Sequence, residues 1–271
     1  QAAEDDLQWQ QLSDRLTALH QTVMALPKQV LLVCEEGVSE TLLPIIADQL
    51  SLQPSTQAAP SVSSPMMFDE LTELLDDTSD EDIAWLISTN VHHNAAAYPA
   101  TTSGHADTPA LMVLAPFLRN GYLHSAIREK GGAYGGGASF DSNAAAFRFY
   151  SYRDPHCQET FAHFAKSIDW LLTTEHDDEQ LTEAILGIIA GMDKPGSPAG
   201  EAVKSCFSEL HERDQAWQQA MRAKILAVTI DDLKRVAMTY LKDKPHTKAT
   251  LAPMEKEQAM SELGFVIKKL A

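Results

Sequence analysis

Trp9, Leu12, Leu16, Leu19, Val23 and Leu26 recur at alternating steps of three and four residues, a spacing that predicts an amphipathic helix stopped by Pro27. The stripe resembles a coiled-coil seam but ends too soon to be one, so the helix is expected to pack on a neighbour. "QVLLVCEE" (29–36) reads as a buried strand, and Ser39 is placed to cap a helix carrying Leu43, Ile46 and Leu50. "SLQPSTQAAPSVSSP" (51–65) holds too few apolar residues to order itself and reads as a mobile surface excursion. An acidic helical piece follows at "FDELTELLDD", and "DIAWLISTNV" alternates Ile83, Trp85 and Ile87 on one face, as a half-exposed strand does.

Thr108 and Pro109 form a cap followed by a first-turn proline, opening the helix "ALMVLAPFLRN". Tyr122 to Lys130 reads as a second helical segment ended by Gly131 and Gly132. In "AAFRFYSYR", Phe147 and Phe149 alternate against Arg148 and Tyr150, a strand pattern. Asp154 and Pro155 repeat the cap-plus-proline signal before the helical stripe Phe161, Phe164, Ile168 and Leu171. Further helices are expected near 177–192, 200–226 and 230–242, with closing strands at "KATLAP" and "GFVIKKL". Strands early, helices late and no regular βαβ alternation predict an α+β layer of mixed or antiparallel sheet against several helices, not a doubly wound fold.

With 271 residues and 44% hydrophobic content, the chain can bury a sizeable core as one large domain or two small ones. A formal charge of −17 argues against nucleic acid, whose phosphates need a basic face with counterions to release. Such acidity serves solubility, and would draw cationic peptides only if it lined a cavity. Cys34, Cys157 and Cys206 are odd in number and far apart, so no disulfide framework or C-x-x-C pair is expected; each reads as a buried thiol, and a reducing interior is favoured. No apolar run reaches the roughly 18 to 20 residues of a membrane span, and "QAAEDDLQWQ" lacks a signal-peptide pattern. Because the first residue is Gln, the chain is expected to be processed or part of something longer, and the compartment stays open.

The concentrated chemistry lies in "REKGGAYGGGASF" (128–140), five glycines around one tyrosine after an arginine. A phosphate cradle of the Walker type needs Lys and Ser or Thr after its second glycine; neither this stretch nor "GMDKPGS" (191–197) has that lysine. The dinucleotide fingerprint needs strand before helix, whereas these glycines end a helix and enter a strand. Vicinal His92 and His93 point to opposite faces of a strand and seldom share an ion. His156, Glu159 and His163 lie along a helix start, but the histidines are seven residues apart, and neither H-x-x-E-H nor H-E-x-x-H occurs. No G-x-S-x-G elbow is present, and Cys157 beside His156 does not make a nucleophile-base pair. Two readings of the glycine stretch stay open: a tight turn with packing glycines, or bare backbone at Gly131, Gly132, Gly135, Gly136 and Gly137 that lets another chain approach.

The segment 117–155, with its R-x-x-G-G-A-Y-G core and later Y-R-D-P, closely resembles the C-terminal half of the presequence-protease branch of the pitrilysin/insulinase zinc metallopeptidases. The likeness extends more weakly through "NAAAYPA" and "IDWL", covers about residues 30–271 in order of elements, and makes the first helix (1–27) resemble the end of a preceding domain. It implies a C-terminal α+β domain at 28–271 of a four-domain enzyme whose two halves close on a chamber and degrade short unfolded peptides. The zinc, held by an inverted H-x-x-E-H, lies in the N-terminal half of the same polypeptide, so this chain is expected to bind no metal and to be inactive alone. In that family an Arg and a Tyr of the C-terminal half reach the substrate backbone near the scissile bond; the matching residues are Arg128 and Tyr134. Attack by zinc-activated water builds negative charge on the carbonyl oxygen, which a guanidinium or phenol can stabilise. The alternative within the same fold is a noncatalytic subunit or peptide-binding scaffold.

Overall fold

A computed structural model describes residues 2–26, 30–50 and 81–270. In chain order the elements are α1 (Ala2–Ala25), α2 (Ser39–Gln49), β1 (Ile83–Ile87), β2 (His92–Pro99), α3 (Thr108–Leu118), a π-helical segment (Arg119–Lys130), β3 (Gly135–Asp141), β4 (Ala146–Asp154), α4 (Gln158–Thr173), α5 (Asp178–Asp193), α6 (Pro198–Leu210), α7 (Gln215–Leu226), α8 (Ile230–Tyr240), β5 (Thr247–Pro253), a 3-10 turn (Met254–Lys256), α9 (Glu257–Glu262) and β6 (Val266–Lys269). They divide into two compact units, residues 1–63 with 196–213 and residues 64–195 with 214–271.

The first unit holds α1, α2 and α6. The periodic residues of α1 do form a helix, and its stripe from Trp9 to Leu26 is exposed. The buried strand expected at "QVLLVCEE" is absent: residues 30–35 have no regular structure, and Val30, Leu31 and Val33 are exposed. A short apolar run becomes a strand only with a ladder partner for its N–H and C=O groups, and these residues form no ladder among the described residues. Ser39 begins α2 but makes no capping bond; Val38 occupies the cap. The expected excursion at 51–65 and the acidic helix at 68–77 lie outside the described residues.

The second unit is a mixed six-stranded sheet in the order β3-β4-β2-β5-β1-β6. β1 runs parallel to β5 and β6, whereas β2 is antiparallel to β4 and β5, and β3 to β4. β1 forms where the alternation of Ile83, Trp85 and Ile87 predicts a half-exposed strand; those three are half-exposed, Ala84 and Leu86 make its buried face, and Phe147 and Phe149 of β4 face the core. Phe149 meets Tyr98, Phe147 and Phe164 at ring-centroid distances of 5.8, 5.4 and 5.4 Å, which ties β2 and β4 to α4. A smaller apolar cluster of Ala84, Leu86, Cys157, Ala252, Met260 and Phe265 lies under β1, β5 and α9, and Phe161 packs against both clusters.

The single helix expected over 200–226 is two. Glu212 takes a positive φ of 55°, and the Asp214 carboxylate accepts the Trp217 N–H at 2.8 Å, capping a new helix. α8 begins with a reciprocal box in which Thr229 and Asp232 satisfy each other's main-chain N–H groups. Of the cysteines, only Cys157 is buried, its thiol pushed up to about 11 by burial; Cys34 is exposed and Cys206 half-buried.

A buried polar network joins β2, β4, β5 and α4. The Asn94 amide donates to Ser151 Oγ at 3.0 Å and to the His156 carbonyl at 2.9 Å, and its Oδ1 accepts from Thr250 Oγ1 at 2.9 Å. Beside it, buried His92 keeps an Nδ1 with no hydrogen-bond partner among the described residues. Burial holds its imidazole below the ordinary value of 6.5; Asp154 pulls the other way, while Lys256 and His156 add to the lowering. Below that ordinary value the unfolded chain therefore binds a proton that the folded chain resists, so stability falls as pH drops from about 7 to about 5. Replacing His92 with Gln is expected to flatten that slope in urea midpoints measured at the two pH values; an unchanged slope assigns the loss elsewhere.

Candidate substrate-contacting site

The site begins with a helix that changes pitch. α3 carries Pro116, which has no N–H for the ladder, and three residues later the chain continues with π geometry through Lys130. Leu123 and Ile127 anchor this segment in the core, which leaves Arg128 exposed. The segment ends as the glycine pair predicts. Gly132, at φ +77°, donates its N–H to the Arg128 carbonyl at 3.1 Å, and the Ala133 N–H reaches the Ile127 carbonyl at 3.1 Å. This paired-bond ending is one residue wider than the usual α-helical one, in keeping with the wider helix. A Cβ at Gly132 would meet only Pro155, at 3.8 Å, so the demand is on conformation alone. Gly132→Ala is expected to cost about 1–2 kcal/mol, read from the urea midpoint.

The chain then turns into β3, one of the two outer strands of the sheet. Arg128 precedes the turn and Tyr134 leaves it, both exposed, Tyr134 at 62%. Arg128 Nη1 lies 3.5 Å from His124 Nε2, and His124 Nδ1 lies 3.6 Å from the Glu129 carboxylate. The Tyr134 N–H donates to the Arg153 carbonyl at 3.3 Å. Its ring stands 5.6 Å from the Tyr152 ring, with the Arg153 guanidinium 5.8 Å from its centroid.

Sequence reasoning singled out Arg128 and Tyr134 but gave no role to Tyr152 or Arg153, although both lie in the quoted Y-R-D-P. Nothing in the residue types signalled that these two neighbours would face the same side of a strand.

The glycines of β3 serve close packing within the chain. A Cβ on Gly135 would fall 2.5 Å from the Tyr152 ring, one on Gly136 2.9 Å from the Tyr150 carbonyl oxygen, and one on Gly137 2.7 Å from the Arg119 stem. The outer edge of β3 is a separate matter. Because Tyr134 bonds to Arg153 across the β3–β4 ladder, the alternating residues Gly135, Gly137 and Ser139 turn their main-chain groups away from β4, yet Gly135 and Gly137 are buried there and Ser139 is half-buried.

Between the π-helical segment and α4 is a cavity of about 460 Å³ lined by Tyr122, Lys130, His156, Glu159 and His163 among others. Tyr122 Oη and His163 Nδ1 are 3.3 Å apart, and His156 Nδ1 lies 3.9 Å from the Glu159 carboxylate. Burial lowers the His163 imidazole and raises the Tyr122 phenol, so both favour their neutral forms. The structure thus brings His156, Glu159 and His163 to one cavity, yet no group of three or more His, Cys, Asp or Glu among the described residues is arranged to hold a metal. No helix among the described residues is long and apolar enough to cross a membrane.

Comparison with known proteins identifies the family. The family model described as the PreP C-terminal domain matches residues 82–251, which include the π-helical segment, the glycine turn, β3 and β4. A mitochondrial presequence protease of Emericella nidulans is 33% identical over 90% of this chain, and the chain spans only 22% of that protein's length. Among solved structures, pitrilysin superposes with a TM-score of 0.54 at 15% identity, covering 86% of this chain and 25% of that one. An inactive M16 peptidase domain from Pseudomonas fluorescens gives 0.54 at 15% identity, covering 80% and 51%. At such identities the superpositions establish the pitrilysin-type fold, and the sequence match establishes the lineage: the chain belongs to the presequence-protease C-terminal domain family.

Proposed function

We propose that this chain is the substrate-contacting C-terminal domain of a zinc metalloendopeptidase that degrades short unfolded peptides in a closed chamber. On this reading residues 1–27 close the preceding domain, residues 28–271 form the C-terminal domain, and the N-terminal half of the same polypeptide supplies the zinc. Among the described residues no group of His, Cys, Asp or Glu fits a zinc ion. The reading is carried by the two exposed donors, Arg128 and Tyr134, held at either end of one glycine turn that leads into β3.

Their chemistry suits a peptide backbone. The guanidinium offers a permanent charge and a planar fork of donors, and the phenol a neutral donor on a rigid ring. Cleaving a peptide bond builds negative charge on the carbonyl oxygen, and a donor already aimed at that oxygen or its neighbour stabilises the transition state without reorganising. Three free thiols suit a reducing compartment, and the Emericella relative is named as mitochondrial.

The test is an assay of this polypeptide alone and then mixed with an upstream portion carrying H-x-x-E-H. The reading predicts no cleavage alone and cleavage when combined. Peptidase activity with stoichiometric zinc in the isolated chain would sink the division of labour. A noncatalytic scaffold of the same fold, the reading favoured by the inactive-domain neighbour, predicts peptide binding with no cleavage in either arm.

A further inference from the structure

β4 does not keep its alternation to the end. Phe147, Phe149 and Ser151 are buried, and Arg148 and Tyr152 are exposed, but Tyr152 is followed by a second exposed residue, Arg153, and then by fully buried Asp154. The pairing with β2 gives the cause. His92 faces Asp154 and Asn94 faces Ser151, so His93 of β2 stands opposite both Tyr152 and Arg153 of β4. That is a β-bulge, a device that re-aims side chains and occurs often beside active sites.

Arg153 holds φ at +48°, a left-handed conformation that a residue with a Cβ keeps only where its surroundings over-determine it. Asp154 supplies that constraint. Its Oδ1 accepts the His156 N–H at 2.9 Å, and its Oδ2 accepts from Thr160 Oγ1 at 2.7 Å and from the Asn94 amide at 3.4 Å. The carboxylate is thus pinned to β2 and α4, and the shift of phase that buries it turns Tyr152 and Arg153 outward together.

Both residues then meet Tyr134. The Arg153 carbonyl takes its N–H, the guanidinium stands over its ring, and the Tyr152 ring lies against it in the space left open by Gly135. We propose that the Tyr152–Arg153 bulge, locked by Asp154, aims the Tyr134 phenol, and that Arg153 is its positioning residue. The functional consequence rests on the reading that Tyr134 contacts substrate.

Arg153→Gly is the discriminating variant. Glycine adopts φ +48° without strain, so the bulge and the main-chain bond to Tyr134 survive while the guanidinium is lost. In the complete polypeptide, Arg153→Gly is expected to lower kcat about three- to fivefold with KM nearly unchanged, and Arg153→Lys to restore most of the loss. In a Tyr134→Phe background the same change should add nothing, because its effect passes through the phenol. Independently of activity, the 19F resonance of a 3-fluorotyrosine at position 134 should move in Arg153→Gly. If Tyr134→Phe keeps full activity while that resonance moves, the positioning stands and the substrate role of Tyr134 falls. An unmoved resonance together with additive losses overturns the positioning itself.

Discussion

Tyr134→Phe or Arg128→Ala, made in the complete polypeptide, is expected to lower kcat/KM for peptide cleavage by about 10²-fold or more, the usual cost of losing one preorganised donor at a developing oxyanion. The structure argues that neither change disturbs folding. Tyr134 is 62% exposed, and removing its hydroxyl leaves the ring contacts with Tyr152 and Arg153 in place. Arg128 is exposed at the end of a segment anchored by Leu123 and Ile127, and its guanidinium approaches only His124 among the described residues. Circular dichroism and urea midpoints should therefore match the parent. The two variants should differ in form. Loss of a charged fork weakens ground-state binding as well as turnover, so Arg128→Ala raises KM, whereas Tyr134→Phe acts mainly on kcat. Full turnover in both would return the glycine turn to a purely structural role.

Phe149→Ala is expected to be the most damaging single change to stability, about 3–5 kcal/mol. Phe149 is completely buried and contacts Tyr98, Phe147 and Phe164, so its removal opens a cavity where β2, β4 and α4 meet. A loss of that size is comparable to much of a domain's total stability, about 5–15 kcal/mol. Urea denaturation should show a lowered midpoint with the slope unchanged. A midpoint shift worth less than about 1 kcal/mol would mean that the aromatic cluster is not where the sheet and α4 are held together. The same element carries Arg153 and Asp154 at its far end, so loosening β4 should also be felt at Tyr134.

Local signals along the second unit were legible where residue type alone decides geometry. The alternation of Phe147 and Phe149 gave β4, the stripe Phe164, Ile168 and Leu171 gave α4, and Gly131–Gly132 gave the helix end, because each follows from burial or from φ. What escaped depends on partners distant in sequence. "QVLLVCEE" has the composition of a strand but forms no ladder among the described residues. The break within 200–226 needed the Asp214 cap to be read over the helical pattern around it. Glycines 135 to 137 were open to two readings until the Tyr152 ring and the Arg119 stem were seen beside them. The bulge at Tyr152–Arg153 was hidden most deeply, since an arginine gives no warning of a left-handed backbone and the register shift exists only against β2. Arg128 and Tyr134 were legible by resemblance alone; their exposure at the two ends of one turn is what the structure adds.

The central claim is that this turn touches the substrate backbone, and photo-crosslinking tests it most directly. A benzoylphenylalanine placed at position 134 of the complete polypeptide, with cleavage silenced in its upstream half, is irradiated with an unfolded peptide. The account predicts a covalent adduct mapped to the peptide, formed in competition with unlabelled peptide and absent when the same probe replaces Lys224 on α7. Equal labelling from both positions, or none from position 134 while the peptide is bound, would contradict it.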